Sequence, residues 1–133
     1  ARDQVKESLD LVERLKARVV LSQMVTAVIP ANNKEAGIPA ADKLIGNYVK
    51  SIEFENGAFH IAFGNKAVGV LENKVLTVRA ISVVGSPESP VSWVCGYSKV
   101  PKGMESAGEN RSTVPAKFLP VACRETSDGV QGK

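Results

Sequence analysis

Cysteine and histidine are scarce in this chain of 133 residues, which has two cysteines, Cys95 and Cys123, and one histidine, His60. These residues argue against a structural zinc site, because such a site needs three or four ligands. A disulfide between the two cysteines is favoured over two free buried thiols. A structural disulfide would indicate an oxidising compartment, such as a periplasm or the outside of a cell.

Long apolar runs, blocks of like charge and catalytic motifs are also absent from the sequence. No run of roughly 18 apolar residues occurs, so no membrane-spanning helix is predicted and the chain is expected to be soluble as given. Basic residues alternate with carboxylates at a net charge of +3, which does not make the basic stripe of a dedicated nucleic-acid protein. No serine, cysteine or aspartate motif accompanies His60, and no phosphate-binding loop is present. The sequence therefore predicts no enzyme, no metal and no cofactor.

Residues 1–28 form the first recognisable element. Apolar residues recur there at helical spacing, with most charged residues elsewhere: Val5, Leu9, Val12, Leu15, Val19, Val20 and Met24. This pattern predicts one amphipathic helix with a core-facing stripe, ended by Pro30. No capping residue precedes the helix, which indicates that upstream residues have been removed. Residues 29–47 mix turn formers with a short helical pattern near 40–45, and we expect a surface loop with one helical turn.

A β-hairpin is the strongest local signal in the sequence. Alternating residues flank Asn56-Gly57, the pair that best tolerates a two-residue type I′ turn. This turn predicts two cross-strand pairs on the buried face: Phe54 with Phe59, and Ile52 with Ile61. Glu53 would then face His60 on the other side, so we interpret the histidine as a sheet-surface residue paired with Glu53. Water should keep Glu53 and Glu55 ionised on that face.

Two further strands complete a predicted sheet over residues 48–97. Residues 74–84 are rich in β-branched side chains, residues 91–97 form the fourth strand, and a stiff loop with two prolines joins them. Trp93 and Cys95 share one strand face, and we expect the tryptophan to pack in the core beside the disulfide. The fold class is therefore α+β: a long N-terminal amphipathic helix packed on a four-stranded antiparallel sheet, followed by a C-terminal disulfide-bounded loop.

Residues 95–123, between the cysteines, are mostly polar, glycine or proline. With so few apolar anchors, we expect this segment to depend on the disulfide for its shape, at a gain of roughly 3 to 4 kcal/mol in the chain-entropy model. Its basic residues outnumber its acidic ones and are candidate contacts for DNA or another surface, although solubility is the simpler explanation: Lys99, Lys102, Arg111, Lys117 and Arg124. Residues 125–133 are expected to form a mobile tail outside a domain of residues 1–124.

Two separated parts of the sequence share a pattern with one known family. The stretch ARDQVKESLDLVERLKARVV is followed, after the predicted sheet, by VSWVCGY and VPAKFLPVACR, which contain Trp93 with Cys95 and Pro115 with Cys123. The first stretch resembles the exposed half of the long helix of type IV pilins of the type IVa kind. The other two resemble the C-terminal disulfide-bounded region of that family. The order of elements is also that of the pilin fold, so the resemblance covers residues 1–124.

The resemblance implies a structural role. It implies an N-terminally truncated, soluble globular domain of a subunit of the bacterial type IV pilus, an extracellular filament for adhesion, twitching motility and DNA uptake. Other pilin subunits would be its partners, and host surfaces or DNA would meet its outward-facing loop. The segment that pilins use for inner-membrane anchoring, with the head in the periplasm, is not in this sequence, and we expect the chain alone to be monomeric. The alternatives are a minor pilin that acts as a DNA receptor in natural competence and the pseudopilin of a type II secretion system.

Overall fold

The computed structural model describes residues 1–86 and 89–124, and its largest element is a long N-terminal helix. Helix α1, Arg2–Thr26, agrees with the helix that the sequence predicts. It ends at Ala27, whose left-handed backbone (φ 61°) lets its N–H bond back into the last helical turn. Pro30 therefore does not end the helix, because Ala27 stops it first. None of the described helices is long and apolar enough to cross a bilayer.

Four strands form an antiparallel meander in chain order, as the sequence predicts. They are β1 (Val49–Glu55), β2 (Ala58–Phe63), β3 (Val75–Val83) and β4 (Ser92–Cys95). The β1–β2 turn lies at Asn56-Gly57, where the φ angles are 50° and 100°. The register confirms the predicted cross-strand pairs: Phe54 with Phe59, Ile52 with Ile61, and Glu53 with His60.

A fifth strand, β5 (Met104–Ser106), lies inside the disulfide-bounded region. It pairs antiparallel with the end of β3, where Ile81 lies opposite Ser106 and Val83 lies opposite Met104. The prediction of four strands is therefore short by one. The three residues of β5 carry no alternating pattern of their own, so the pairing with β3 is what makes them a strand.

One stripe of α1 is shielded from solvent. The buried positions follow the predicted spacing: Val5, Ser8, Val12, Leu15, Val19 and Gln23. Ser8 satisfies its hydroxyl within the helix by donating to the carbonyl of Val5 at 2.6 Å. The sequence pattern assigns Met24 to this stripe, but its side chain is 73% exposed. Each residue turns the helix by about 100°, so Met24 points away from the face that buries Gln23.

The segment between α1 and the sheet contains two short helical elements rather than one. A 3₁₀ turn, Ala41–Lys43, lies where the sequence predicts a helical turn, whereas α2, Asn33–Ala36, is not predicted. Asn33 closes the free edge of β1. Its Oδ1 accepts from the N–H of Phe54 at 2.7 Å, and its Nδ2 donates to the carbonyl of Ile52 at 3.1 Å. One side chain thus takes the place of a neighbouring strand.

The two faces of the sheet have different covers. On the inner face, which packs under α1, Phe54, Phe59 and Ile61 are fully buried. The rings of Phe54 and Phe59 lie with their centroids 4.8 Å apart. One hydrophobic core extends from Val5 in α1 to Cys123 in the disulfide-bounded region. The outer face of β2 and β3 lies under a segment of the disulfide-bounded region. The residues predicted as a tail, 125–133, are outside the described part of the chain.

Candidate functional surface

Cys95 and Cys123 form a disulfide, with their Cα atoms 4.8 Å apart. Cys95 ends β4, and Cys123 ends a short 3₁₀ turn. Hydrogen bonds join the same two pieces of chain: the N–H of Tyr97 donates to the carbonyl of Cys123 at 2.9 Å, and the hydroxyl of Ser98 donates to the carbonyl of Ala122. The disulfide favoured by the sequence is therefore confirmed, and it works together with non-covalent contacts.

The disulfide-bounded region has its own apolar anchors, contrary to the expectation from its composition. Val114 and Leu119 are fully buried in the core. Tyr97 donates its hydroxyl to the carbonyl of Val114 at 2.7 Å, and burial raises the pKa of this phenol. Composition conceals these anchors because they are few among many polar neighbours. The disulfide therefore joins a segment that also packs against the core, and the dependence of its shape on the disulfide stays a prediction.

Residues 107–114, which we call the strap, cross the outer face of β2 and β3. Four backbone N–H groups of the strap donate to β3: Ala107 to the carbonyl of Ala80 (2.8 Å), Arg111 to the hydroxyl of Thr77 (3.0 Å), and both Thr113 and Val114 to the carbonyl of Val75 (2.7 and 3.2 Å). These contacts are spread along the whole strap. The strap is therefore a second layer on the outer face, opposite α1.

His60 is buried, so the interpretation of it as a sheet-surface residue is wrong. It lies on the predicted outer face, but the strap covers it and leaves it 5% exposed. Its Nδ1 lies 2.9 Å from the hydroxyl oxygen of Thr77, which replaces Glu53 as its partner. Its Nε2 has no hydrogen-bond partner among the described residues, and Oε1 of Glu55 is 3.8 Å away. Burial, and then the charge of Arg111, lower the pKa of the imidazole below its ordinary value.

Arg111 of the strap lies among three carboxylates. Its guanidinium nitrogens are 2.5 Å from Glu55, 2.8 Å from Glu109 and 3.6 Å from Glu53. The hydrogen bond from Arg111 lowers the pKa of Glu109. All four side chains are partly exposed, so solvent weakens each ion pair. Glu53 and Glu55 therefore bind a strap residue as well as facing water. In the described part of the chain, no three histidine, cysteine, aspartate or glutamate side chains are arranged to hold a metal ion.

The five basic residues that the sequence singles out do not form one patch. Arg111 lies on the outer face, bound by carboxylates. Lys117 lies beside the start of α1, where Nε of Arg2 donates to its carbonyl at 2.9 Å. Arg124 bonds back to the disulfide-bounded region, with its Nε donating to a backbone carbonyl at 2.9 Å. The remaining two, Lys99 and Lys102, are exposed.

Trp93 lies at the rim of the core rather than inside it. The ring is half-buried, and its centroid is 5.5 Å from the ring of Phe59. Nζ of Lys16 in α1 lies 5.5 Å from the centroid of the indole ring. Nζ of Lys16 also lies 2.8 Å from a carboxylate oxygen of Glu13. The tryptophan therefore ties β4 to α1 on the face that also carries Cys95.

An exposed apolar patch lies at the C-terminal end of α1 and just beyond it. Its members, which we call the α1 end patch, are between 59% and 77% exposed: Leu21, Met24, Val25 and Val28. Leu21, Met24 and Val25 are three and four residues apart, which places them on one side of the helix, and Val28 follows just after the helix ends at Ala27. Sequence reasoning missed this patch because the buried stripe has the same kind of spacing and Met24 fits both.

The long helix, the antiparallel sheet and the disulfide-bounded region together have the architecture of a pilin. Residues 1–124 match the pilin family of bacterial filament proteins, and the chain belongs to this family. Among its relatives is the type IV major pilin protein PilE1 of Neisseria gonorrhoeae, 31% identical over 137 residues that cover 98% of this chain and 73% of the relative. The fimbrial protein of Neisseria meningitidis serogroup B is 30% identical, with 96% of this chain and 78% of the relative covered. The chain is a type IV pilin, a structural subunit of a pilus filament.

Proposed function

We propose that the α1 end patch is a contact between subunits in the extracellular filament. The patch is the observation that carries this proposal. Four large apolar side chains, three on one side of a helix and one just beyond its end, each more than half exposed, are characteristic of a surface that a partner covers. The partner is another pilin subunit, because a filament subunit repeats its contacts with copies of itself.

The geometry of a filament constrains what the patch meets. A contact that joins one surface to a different surface of the next copy leaves free surfaces at both ends and therefore builds an open helical filament. The α1 end patch lies on the helix, whereas the strap lies on the opposite side of the sheet. We therefore place α1 towards neighbouring subunits and the strap towards the outside of the filament.

Replacing Val25 with glutamate tests the proposal. Val25 is 77% exposed, so Val25→Glu should leave the stability of the subunit within about 0.5 kcal/mol of wild type. In cells that depend on the full-length pilin, the same change should strongly reduce the amount of sheared pili, because burying a charge between subunits is unfavourable.

Val84→Glu is the matched control. Val84 is 60% exposed, directly follows β3 and is not a member of the α1 end patch. This control should form pili at the wild-type level. Wild-type piliation of Val25→Glu, or an equal loss in both variants, would contradict the assignment of the α1 end patch to the subunit interface.

The location of the subunit before assembly and the cellular functions of the filament are part of the same proposal. We place the head, residues 1–124 as one domain, in the periplasm with an inner-membrane anchor before assembly, since the disulfide requires an oxidising compartment. Its role is structural rather than enzymatic, in adhesion, twitching motility and DNA uptake. Exposed Lys99 and Lys102 are the basic residues best placed to meet DNA or a host surface, because carboxylates already bind Arg111.

A further inference from the structure

We propose that the strap is a pH-sensitive cover, which protonation of His60 releases from the outer face of the sheet. The proposal rests on the geometry around His60 and does not depend on how the filament is built. A buried imidazole lies directly under a segment that polar contacts hold in place.

The contacts of His60 with Thr77 and Glu55 favour one tautomer of the ring when the strap covers it. The hydroxyl oxygen of Thr77 accepts from the backbone N–H of Arg111 at 3.0 Å, and it lies 2.9 Å from Nδ1 of His60. The carboxylate of Glu55, which faces Nε2, favours the tautomer with the proton on that nitrogen, and the single hydroxyl proton of Thr77 is then donated to Nδ1. Nε2 therefore carries the proton of the neutral ring, and it faces the carboxylate of Glu55 at 3.8 Å, beyond hydrogen-bond distance.

Protonation of His60 disturbs this arrangement at two points. A second N–H, at Nδ1, would point at the hydroxyl of Thr77, which could no longer donate to the ring. The hydroxyl proton would have to turn away from the ring, and the oxygen would then accept both from Nδ1 and from the strap N–H of Arg111, so the ring and the strap would compete for one acceptor. The new imidazolium would also be desolvated beside the guanidinium of Arg111.

Charged groups on the neighbouring elements both raise and lower the pKa of His60. On β1, the carboxylates of Glu53 and Glu55 favour the imidazolium, and Glu109 of the strap does the same. Burial and Arg111 oppose it, and they prevail, so the pKa of His60 is lowered while the strap is closed. On β3, Arg79 is two residues from Thr77, and its guanidinium donates to the hydroxyl of Ser106 at 3.2 Å.

The direction of the pH effect follows from the two states. When the strap opens, water reaches the ring and its pKa returns towards 6.5. The open state then binds the proton more readily than the closed state, so acid favours opening. The closed strap is fully stabilised above pH 6.5 and loses stability as the pH falls from there to the pKa of the closed form. The opening constant rises by at most about tenfold at pH 5.5 relative to pH 7.5.

Amide hydrogen exchange measured by NMR tests the proposal. The backbone amides of Arg111 and Thr113 report on the strap, because both donate to β3. We expect their protection factors, corrected for intrinsic exchange, to fall up to about tenfold between pH 7.5 and 5.5. The amide of Ala27, which bonds to the carbonyl of Gln23 at 2.7 Å, should keep its protection, because fraying of the end of α1 does not expose His60. Unchanged protection of the strap amides would overturn the proposal.

The variant His60→Asn distinguishes the titration of the histidine from the titration of the nearby carboxylates. The asparagine Oδ1 accepts a hydrogen bond close to the place of Nδ1 but does not titrate. Strap protection in this variant should be independent of pH between 7.5 and 5.5, and a fall equal to that of wild type would overturn the proposal. Direct titration of the His60 ring in the wild-type chain gives an independent test if the variant does not fold. A ring pKa at or above 6.5 would refute the mechanism.

Discussion

Removing the disulfide should cost a large part of the free energy of unfolding without unfolding the domain. The bond joins residues 28 positions apart, and the chain-entropy relation for a loop of this length gives about 3.5 kcal/mol. Alanine is the better replacement at both positions, because Cys123 is 1% exposed and serine would bury an unpaired hydroxyl there. Val114 and Leu119 remain packed, so the variant should still fold.

Urea unfolding at pH 7.5 measures the effect. For a chain of 133 residues, a loss of about 3.5 kcal/mol corresponds to a fall in Tm of roughly 12 °C. The m-value should rise, because the unfolded chain without the link exposes more surface. Amide exchange should accelerate at Tyr97, which bonds to the carbonyl of Cys123, whereas Phe63 in the hairpin should stay protected. A loss of less than about 1 kcal/mol would refute the reasoning, because the bond would then not restrict the unfolded chain.

Two further substitutions test the packing that positions the surface. Leu119→Ala should destabilise the domain by about 2 to 5 kcal/mol in urea unfolding, because the side chain is fully buried, whereas Val121→Ala, at a position 59% exposed, should have little effect. Asn33→Ala should cost about 2 to 4 kcal/mol, because it leaves the N–H of Phe54 and a neighbouring carbonyl of the edge strand unpaired, and exposed Asn47→Ala is its control. Equal stability of the variants in either pair would contradict the assigned contact.

The parts of the fold that the sequence predicts are those that local chemistry determines. Asn56-Gly57 fixes the hairpin turn, and the turn fixes the register of five residues on each side without reference to the rest of the chain. The spacing of Val5, Val12 and Val19 likewise defines the buried stripe of α1. Each of these signals lies within one element or one turn.

The parts that the sequence does not predict depend on residues far apart in the chain. Strand β5 exists because Met104 reaches Val83, and Asn33 caps β1 because it lies beside Phe54. No short pattern specifies such contacts. The burial of His60 has the same cause, since alternation along β2 places the ring on the outer face but cannot say what covers that face.

The inner and outer faces of the sheet are covered by different kinds of contact. The inner face and α1 share one apolar core, so a change there alters packing and, through α1, the contacts that we propose between subunits. Apart from Val114, which packs in that core, the strap is held by hydrogen bonds to β3 and by ion pairs to Glu53 and Glu55. Because hydrogen bonds and partly exposed ion pairs depend on pH and solvent more than apolar packing does, we expect acid to loosen the strap before it changes the packing of α1.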